Sequence, residues 1–573
     1  MPARVPFGAE ERSDSTFISV FKAPHRHFSS LCGIIISNMS KVANYLQSHL
    51  VGEIYTRMDV REAYARDGGV MAEKPDVVVF PRTTNDIRKV ARFAWQLAEK
   101  GHVMPLTACG AGGDVTGGNL SSGAILDLTR YMDKVYEYEP KQKLLRLQPG
   151  ASAASVQSAL RLHGAMVPAL DVGAADTIGG SIAGDSIGML SGSMGSMGEW
   201  VSQLEVVLDS GDAIQTGPIT KRALNKLMGT QGREGDIYRG VDTILEDHKE
   251  LITDLSKNGV IDRSGYPGIA KVRQKGGGID LTPLFVGSQG TLGVIAEVIM
   301  RAEFVPSEPQ AAVLLFAKSE AARDAADKIV KTGPSVLEYY DGKLYKAARD
   351  QGKVFAWAGE LPEEVGAMLW IGYHSFNARG IKKSFKKLSK IAEEHKATMI
   401  NTDDNEYDHL VSLRDLPGFV DAPVSRVDSG ALLLGDGMYV PIERFEAFLG
   451  GVADLEKKLS LELPIEGSML SGIYRVHPSL SMKRVSDKQK VFKLLDGLQA
   501  LLAGCDGSLV GAGGEGRLLG RFTHAAWEDE YRDMMTKIKQ VFDPHGLLNP
   551  AVKQPHDLKV LANSMASDNP KRK

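Results

Sequence analysis

Between residues 173 and 198, glycine stands at 173, 179, 180, 184, 188, 192, 195 and 198, among serine, alanine and methionine. The stretch is too apolar for a disordered linker and too rich in glycine for an ordinary helix. Glycine lets a backbone approach another surface closely and adopt dihedrals closed to other residues. Such a segment is expected to lie packed on something, so the rest of the chain must build the surfaces around it. Val77 to Phe80 reads as a short buried strand ended by Pro81. Thr84 or Asn85 then caps a helix with apolar positions Ile87, Val90, Ala91, Ala94 and Leu97, stopped at Gly101. Val103 to Leu106, Ala124 to Leu128 and Leu144 to Leu147 read as strands, and Ser152 opens a helix running to Gly164. Val201 to Leu208 is a further strand, closed by a turn at Asp209 to Asp212. Strand, helix, strand, loop, strand is a mixed helix and sheet organisation.

After Pro306 the texture changes, with fewer glycines, longer helical patterns and more charge, which puts a domain boundary near 305. Near the end, Trp527, Tyr531, Met534, Met535, Ile538, Val541 and Phe542 form the stripe of a core-facing helix, broken at Asp543 to Gly546. A chain of 573 residues implies several domains or lobes. With 68 Lys and Arg against 71 Asp and Glu, no global field draws it to nucleic acid, and membrane contact is peripheral at most. No apolar run reaches the ~18–20 residues that span a bilayer. The three cysteines, Cys32, Cys109 and Cys505, lie far apart without a CxxC. That argues against an iron–sulfur or zinc-ribbon site and fits a reducing compartment, hence a cytoplasmic location or the inner face of a membrane. Residues 1–38 read as a mobile extension with Met39 as an alternative start, and Asn569 to Lys573 as a frayed basic tail.

Cys109-Gly110-Ala111-Gly112-Gly113-Asp114 lies between two expected strands. Backbone N–H groups in such a turn can cradle a diphosphate. Val115 occupies the place of the last glycine in a GxGxxG, and no GxxxxGK[ST] occurs, which argues against a nicotinamide fingerprint or a P-loop. Alone, the turn could equally be a tight loop.

The order of several clusters is more specific. Pro75 to Pro81, Gly110 to Asp114 with Gly117-Gly118, Thr177-Ile178-Gly179-Gly180, Glu205 to Gly211, and Gly287-Ser288-Gln289-Gly290-Thr291-Leu292-Gly293 resemble the FAD-binding domain of the vanillyl-alcohol-oxidase superfamily. Phe542 to Pro550 resembles the closing motif of its glycolate-oxidase-subunit and D-lactate-dehydrogenase branch. The resemblance runs from about residue 50 to 553. It implies an α+β fold: a PCMH-type FAD-binding domain of two α/β subdomains over 51–305 and an α+β substrate or cap domain over 306–545. An N-terminal extension and first helix would occupy 1–50, and a segment over 546–573 would return to the FAD domain and end in the basic tail.

The resemblance also implies roles. Gly110, Ala111, Gly112, Gly113, Asp114 and Val115, with Gly117, would hold the FAD diphosphate. Asp171, Thr177, Ile178, Gly179 and Gly180 would line the flavin and ribityl chain, Asp185 and Gly188 would continue that wall, and Val294 and Ile295 would pack near adenine or flavin. Asn549 of the closing motif joins this set. Some relatives attach flavin through a His in the first loop; Gly113 stands there, so the FAD is expected to be non-covalent. Cys109 is a more distant attachment candidate and reads as a buried thiol.

In the cap half, Leu410 to Arg414 fits the segment with which relatives bind a hydroxyacid carboxylate, a role suited to a planar guanidinium. The same Arg414 could instead pair with Asp415. Gly435 to Pro441 resembles the following strand, but Leu434 and Gly435 stand where many relatives have a Lys. Many relatives bind a divalent ion through Gly-His-x-Gly-Asp-Gly-Asn-x-His and Gly-Glu-His-Gly. Here the segments read Gly467 to Arg475 and Gly511 to Arg517, without those ligands at the matching positions, so no catalytic metal is expected. Tyr474, His477 and Glu515 are the candidates for a base, and Arg475 for holding a carboxylate or an oxyanion. His477, two residues after Arg475, would share its face of a strand. Each of the four could equally be a satisfied polar side chain, and Tyr339, Tyr340 and His374 could also line the pocket.

The family likeness implies an FAD-dependent dehydrogenase of a small D-2-hydroxyacid, D-lactate first, with hydride passing to flavin N5 and electrons leaving to a quinone or a redox protein. It leaves a homodimer open. A sugar or sugar-acid oxidoreductase, a non-redox flavoprotein like the alkyl-glycerone-phosphate synthases, and a subunit without catalysis are the alternatives.

Overall fold

The computed structural model describes residues 39–568 except 172–175, 258, 307–308, 354, 356–363, 403–406 and 420–429. The expectations for residues 1–38, Gly173 and the basic tail fall outside the described residues.

Short apolar runs punctuated by proline and glycine make the first sheet. After α1 (Met39–Gln47) come β1 (Glu53–Tyr55), β2 (Val77–Phe80), α2 (Thr84–Ala98), β3 (Leu106–Cys109) and β4 (Ala124–Asp127). The strand order is β1-β2-β4-β3, with β2, β4 and β3 parallel and β1 antiparallel. The cap of α2 is Thr83, one residue before the expected position, because its side chain is the one that accepts the Asp86 N–H. The strand expected at Val103 starts at Leu106 instead. Val103 is 56 % exposed, and Pro105 has no N–H for a ladder.

The second sheet is antiparallel: β5 (Val135–Glu139), β6 (Leu144–Leu147), β7 (Val201–Val207), β8 (Ala213–Gln215) and β9 (Val294–Arg301), ordered β5-β6-β9-β7-β8. The helix α3 (Ala153–Arg161) precedes the glycine-rich stretch, part of which does form a helix, α4 (Ile178–Gly184). That departs from the sequence expectation, and the reason is local. The Thr177 side chain caps the helix, and Gly179 and Gly184 pack closely on other segments. A Cβ on Gly179 would lie 2.8 Å from Pro149, and one on Gly184 would lie 3.2 Å from the Gly513 carbonyl.

The C-terminal half builds an antiparallel seven-stranded sheet. Its elements are β10 (Gln310–Phe316), β11 (Val336–Asp341), β12 (Ala367–Tyr373), α5 (Ala378–Glu394), β13 (Thr398–Asn401), β14 (Met438–Tyr439), β15 (Ile465–Ser468) and β16 (Ile473–Val476), in the order β13-β10-β12-β11-β15-β16-β14. Strand alternation gives it two unlike faces. Leu337, Tyr339, Ile465, Tyr474 and Val476 share one apolar core. On the other face the register sets Tyr340 beside Glu466, and Glu466 beside Arg475. The stripe expected near the end forms α6 (Asp529–Phe542), which buries Met534, Met535, Ile538 and Phe542 against the second sheet's core. Beyond it the chain reaches β3, where Leu106 donates to the Leu547 carbonyl and accepts from the Asn549 N–H.

Candidate active site

A cavity with about 1290 Å³ of empty space, mouth included, lies where the two N-terminal sheets meet the cap. Its floor is the loop after β3. The backbone N–H groups of Ala111, Gly112 and Gly113 donate to no other described residue. Gly110 is fixed as glycine by contact, since a Cβ there would lie 2.1 Å from Thr177 Oγ1. Gly112 and Gly290 have φ of +75° and +71°. A Cβ on Gly112 would meet no protein atom closer than 3.7 Å, and one on Gly290 none within 4 Å. Both residues line the cavity, so these two positions keep open a channel that a side chain would narrow. Asp114 braces the loop with its carboxylate, accepting from the Gly118 N–H at 2.7 Å and the Thr116 N–H at 2.9 Å. Gln289 ties the second sheet to the cap, donating to the Gly513 carbonyl at 3.2 Å and accepting from the Gly516 N–H at 2.9 Å.

Of the residues singled out in sequence, Gly110 to Asp114, Thr177, Gly179, Gly180, Ile295 and Arg475 line this cavity. Val115, Gly117, Ile178, Gly188 and Val294 stand outside the lining: Val115, Ile178 and Val294 are buried in the surrounding cores, Gly117 packs on Met71 and Arg517, and Gly188 packs on Ala169. Asn549 is buried behind the loop, donating to the Gly118 and Gln289 carbonyls at 2.7 and 2.9 Å. Asp185 faces a neighbouring cleft and is held by Arg263 and the Gly198 N–H. Asp171 accepts from the Met189 N–H at 2.8 Å and from Arg414 at 3.2 Å. Cys109 is a buried thiol at the cavity wall, donating to the Gly110 carbonyl at 3.4 Å.

The cap sheet brings a row of charges to this region. Arg414 donates Nε to Glu338 at 3.1 Å and Nη2 to Asp171, so its partners are these two and not Asp415. Tyr340 donates to Glu338 at 2.7 Å. Burial raises the Glu338 carboxyl even with Arg414 opposing it. Arg475 donates Nε to the Asp436 carbonyl at 2.6 Å and Nη1 to Glu466 at 3.2 Å; His477 Nε2 lies 3.5 Å from Glu466. Burial alone would raise Glu466, but Arg475 and His477 bring it down to about 2. Tyr474 is on the opposite face, stacked on Phe445 with centroids 4.5 Å apart, and burial raises its hydroxyl. Glu515 is turned inward, accepting from the Gly265 N–H and Thr523 and lying 3.5 Å from Lys553. Tyr339 sits edge-on to Phe445, and His374 binds the Tyr407 hydroxyl at 2.9 Å, its imidazole pushed down to about 4 by burial. Arg475 and His477 are thus brought together, while Tyr474 and Glu515 lie away from the cavity.

Asp436 also lines the cavity and was not among the sequence candidates. In sequence it stood inside the segment Gly435 to Pro441, which resembles a family strand and was given no site role. Asp176 and Asn119 were likewise missed. Among the described residues no cluster of three His, Cys, Asp or Glu is placed to hold a metal ion, and no helix is long and apolar enough to cross a membrane. The metal set of many relatives has no counterpart that fits: Arg475, a fixed cation, closes the first matching segment, and Glu515 in the second is already bonded elsewhere.

Residues 75–217 match the family described as FAD binding domain, and residues 305–552 the family described as FAD linked oxidases, C-terminal domain. A D-2-hydroxyglutarate dehydrogenase of Pseudomonas putida is 25% identical over 90% of this chain and 52% of its own length. The chain therefore spans about half the length of that relative. A probable mitochondrial D-lactate dehydrogenase of Danio rerio is 25% identical over 86% of this chain and 87% of its own. Among solved structures, 4-ethylphenol oxidase from Gulosibacter chungangensis has the same fold, with TM-score 0.62 at 14% identity over 91% of this chain and 98% of that one.

FAD is the cofactor of these domains, and the cavity fits it. Free backbone N–H groups at Ala111 to Gly113 suit a diphosphate, and the side-chain-free wall at Gly112 and Gly290 leaves room for its length.

Proposed function

The chain belongs to the FAD-linked oxidases built on a PCMH-type FAD-binding domain, and from that premise we propose that it oxidises a small 2-hydroxyacid at its hydroxyl-bearing carbon. One observation carries the reading: Arg475 stands at the cavity wall with its Nη2 bound to no described residue. A fixed guanidinium with a free N–H edge is a receptor for the carboxylate of a hydroxyacid. Bound FAD supplies the hydride acceptor. The chain's own residues orient the acid and hold the proton. Arg414 takes a supporting place, since Glu338 and Asp171 already occupy it.

D-Lactate and D-2-hydroxyglutarate are the substrates to try first, given what the matching relatives are called. The flavin is held without a covalent bond, and electrons leave to a quinone or a redox protein. A neutral sugar is the second reading, favoured by the double occupation of Arg414.

For a contact with the inner face of a membrane, we assign the outer side of α5. Arg379, Lys382, Lys383, Lys386, Lys387 and Lys390 are exposed there in a continuous stripe, and Phe376 just before the helix is 74 % exposed. A basic face beside a bare aromatic suits an anionic bilayer.

The test is an anaerobic visible spectrum of the purified protein on adding D-lactate, D-2-hydroxyglutarate, glycolate and L-lactate in turn. Bleaching by one D-acid is expected. Bleaching by a neutral sugar alone would replace the acid reading with the second one. Acid precipitation should leave the yellow colour in the supernatant; colour retained in the pellet would mean a covalent flavin.

A further inference from the structure

Oxidising a hydroxyl needs a group to take its proton, and the three bases suggested by sequence are badly placed. Tyr474 faces the apolar core, Glu515 is bonded inside the protein, and His477 does not line the cavity. The carboxylates around the cavity differ in how far they are engaged. Asp114 is bound by the Thr116 and Gly118 N–H groups, and Glu466 and Glu338 are bound by arginines. The Asp436 carboxylate accepts no hydrogen bond from any described residue, yet lies in the cavity wall.

We propose that Asp436 is the proton acceptor for the substrate hydroxyl, with Arg475 as the residue that positions it. The proposal rests on the hydroxyacid reading above.

The local backbone is built for this carboxylate. Gly513 has φ +76°, and a Cβ there would fall 1.9 Å from Asp436 Oδ2, so only a bare backbone lets the carboxylate sit where it does. Arg475 grips the Asp436 main-chain carbonyl through Nε and is itself fixed by Glu466 through Nη1. Its remaining edge and the Asp436 carboxylate therefore share one stretch of wall, an anion receptor beside a base. Asp176 also lines the cavity, but its Oδ1 lies 3.1 Å from where a Gly113 Cβ would be, at the phosphate loop. Asp436 is the one on the cap side.

Electrostatics fit the role. Burial raises the Asp436 carboxyl to about 6, Asp114 and Asp176 push the same way, and Arg475 opposes them. A base is most effective when its pKa lies near the working pH. In the step, the hydroxyl O–H bond breaks and its proton goes to Asp436 Oδ. The C–H bond breaks with its electron pair going to the flavin, the carbon–oxygen bond becomes a carbonyl, and the hydroxyacid leaves as the ketoacid.

The test uses the holoenzyme with Asp436→Asn and Asp436→Glu, and the acid that bleaches the wild type. The wild-type bleaching rate should rise with pH to a plateau with a midpoint near 6. The Asn variant should bleach about 100-fold slower or worse, without that rise. The Glu variant should recover part of the rate and keep the pH limb. Independently of turnover, the visible spectrum of the oxidised wild type should shift with a midpoint near 6, and that shift should be missing from the Asn variant. A bleached wild type with an equally fast Asn variant and an unchanged profile overturns this inference alone. A wild type that no hydroxyacid bleaches overturns the hydroxyacid reading and this inference together.

Discussion

Arg414 Nε and Glu338 Oε2 lie 3.1 Å apart, and the other side of the same guanidinium reaches Asp171 across the boundary between cap and FAD domain. One side chain thus neutralises a carboxylate on each side of the domain contact. Its loss strands two acids at once.

Replacing Arg414 with Met should therefore lower stability by about 3 kcal/mol, the low end for a broken buried pair. The low end applies because 26% of the Arg414 side chain is exposed. Adding Glu338→Gln should return part of the loss. Urea unfolding of the two single variants and the double variant measures both terms, and purely additive losses would mean that the two side chains are uncoupled.

Glu466 gives an acid limb. Its folded carboxyl, at about 2, lies below the ~4.3 of an unfolded Glu. The stability it contributes is complete above about pH 4.3 and is lost as pH falls toward 2. Thermal unfolding between pH 6 and pH 3 should fall less steeply in Glu466→Gln than in the wild type. Equal slopes would rule out this carboxyl as a source of the acid limb.

Asp67 acts with the opposite sign. Burial and the nearby Asp114 raise its carboxyl to about 8, while its Oδ1 accepts the Gly69 and Met71 N–H groups. The folded state thus holds a proton that the unfolded chain gives up above ~3.9, and stability falls as pH rises from about 4 to about 8. Asp67→Asn keeps the acceptor and removes the titration. It should raise the melting temperature at pH 8 more than at pH 5, as read by calorimetry.

Gly290 and Gly333 form a matched pair for testing the cavity. Both have positive φ, at +71° and +75°, and a Cβ at either would meet no protein atom within 4 Å. Alanine at each should cost about 1 kcal/mol through backbone strain. Only Gly290→Ala should also lower the flavin content, read from the ratio of visible to ultraviolet absorbance. Equal flavin content in both variants would remove Gly290 from the cofactor wall.

The basic face of α5 should hold the protein on vesicles of anionic lipid at low salt and release it as salt rises. Charge reversal at Lys386 and Lys387 should abolish sedimentation with such vesicles. Persistent binding by that variant would place the contact elsewhere.

Part of the cofactor half was legible in sequence, because the glycines of the loop after β3 act through their own backbone. Gly110 to Gly113 carried a local turn signal, whereas Thr177 entered through the family resemblance and its place as the cap of α4 was not foreseen. The cap domain was not legible in this way. Arg414 finds partners 76 and 243 positions away, and nothing beside it in the chain points to Glu338 or Asp171. Tyr474 and Arg475 are adjacent, and the parity of a strand decided which reached the cavity. Asp436 was hidden because its segment resembled a strand, and only the fold brings Gly513 against its carboxylate.

Asn549 spans the Gly118 and Gln289 carbonyls, and Leu106 bonds to Leu547. The loop after β3 is thus braced by residues made more than 400 positions later in the chain. At about 5–20 residues per second, synthesis leaves the loop waiting tens of seconds for that brace. The pocket is therefore completed only once the closing motif has been made, and a nascent chain halted before that motif should remain colourless.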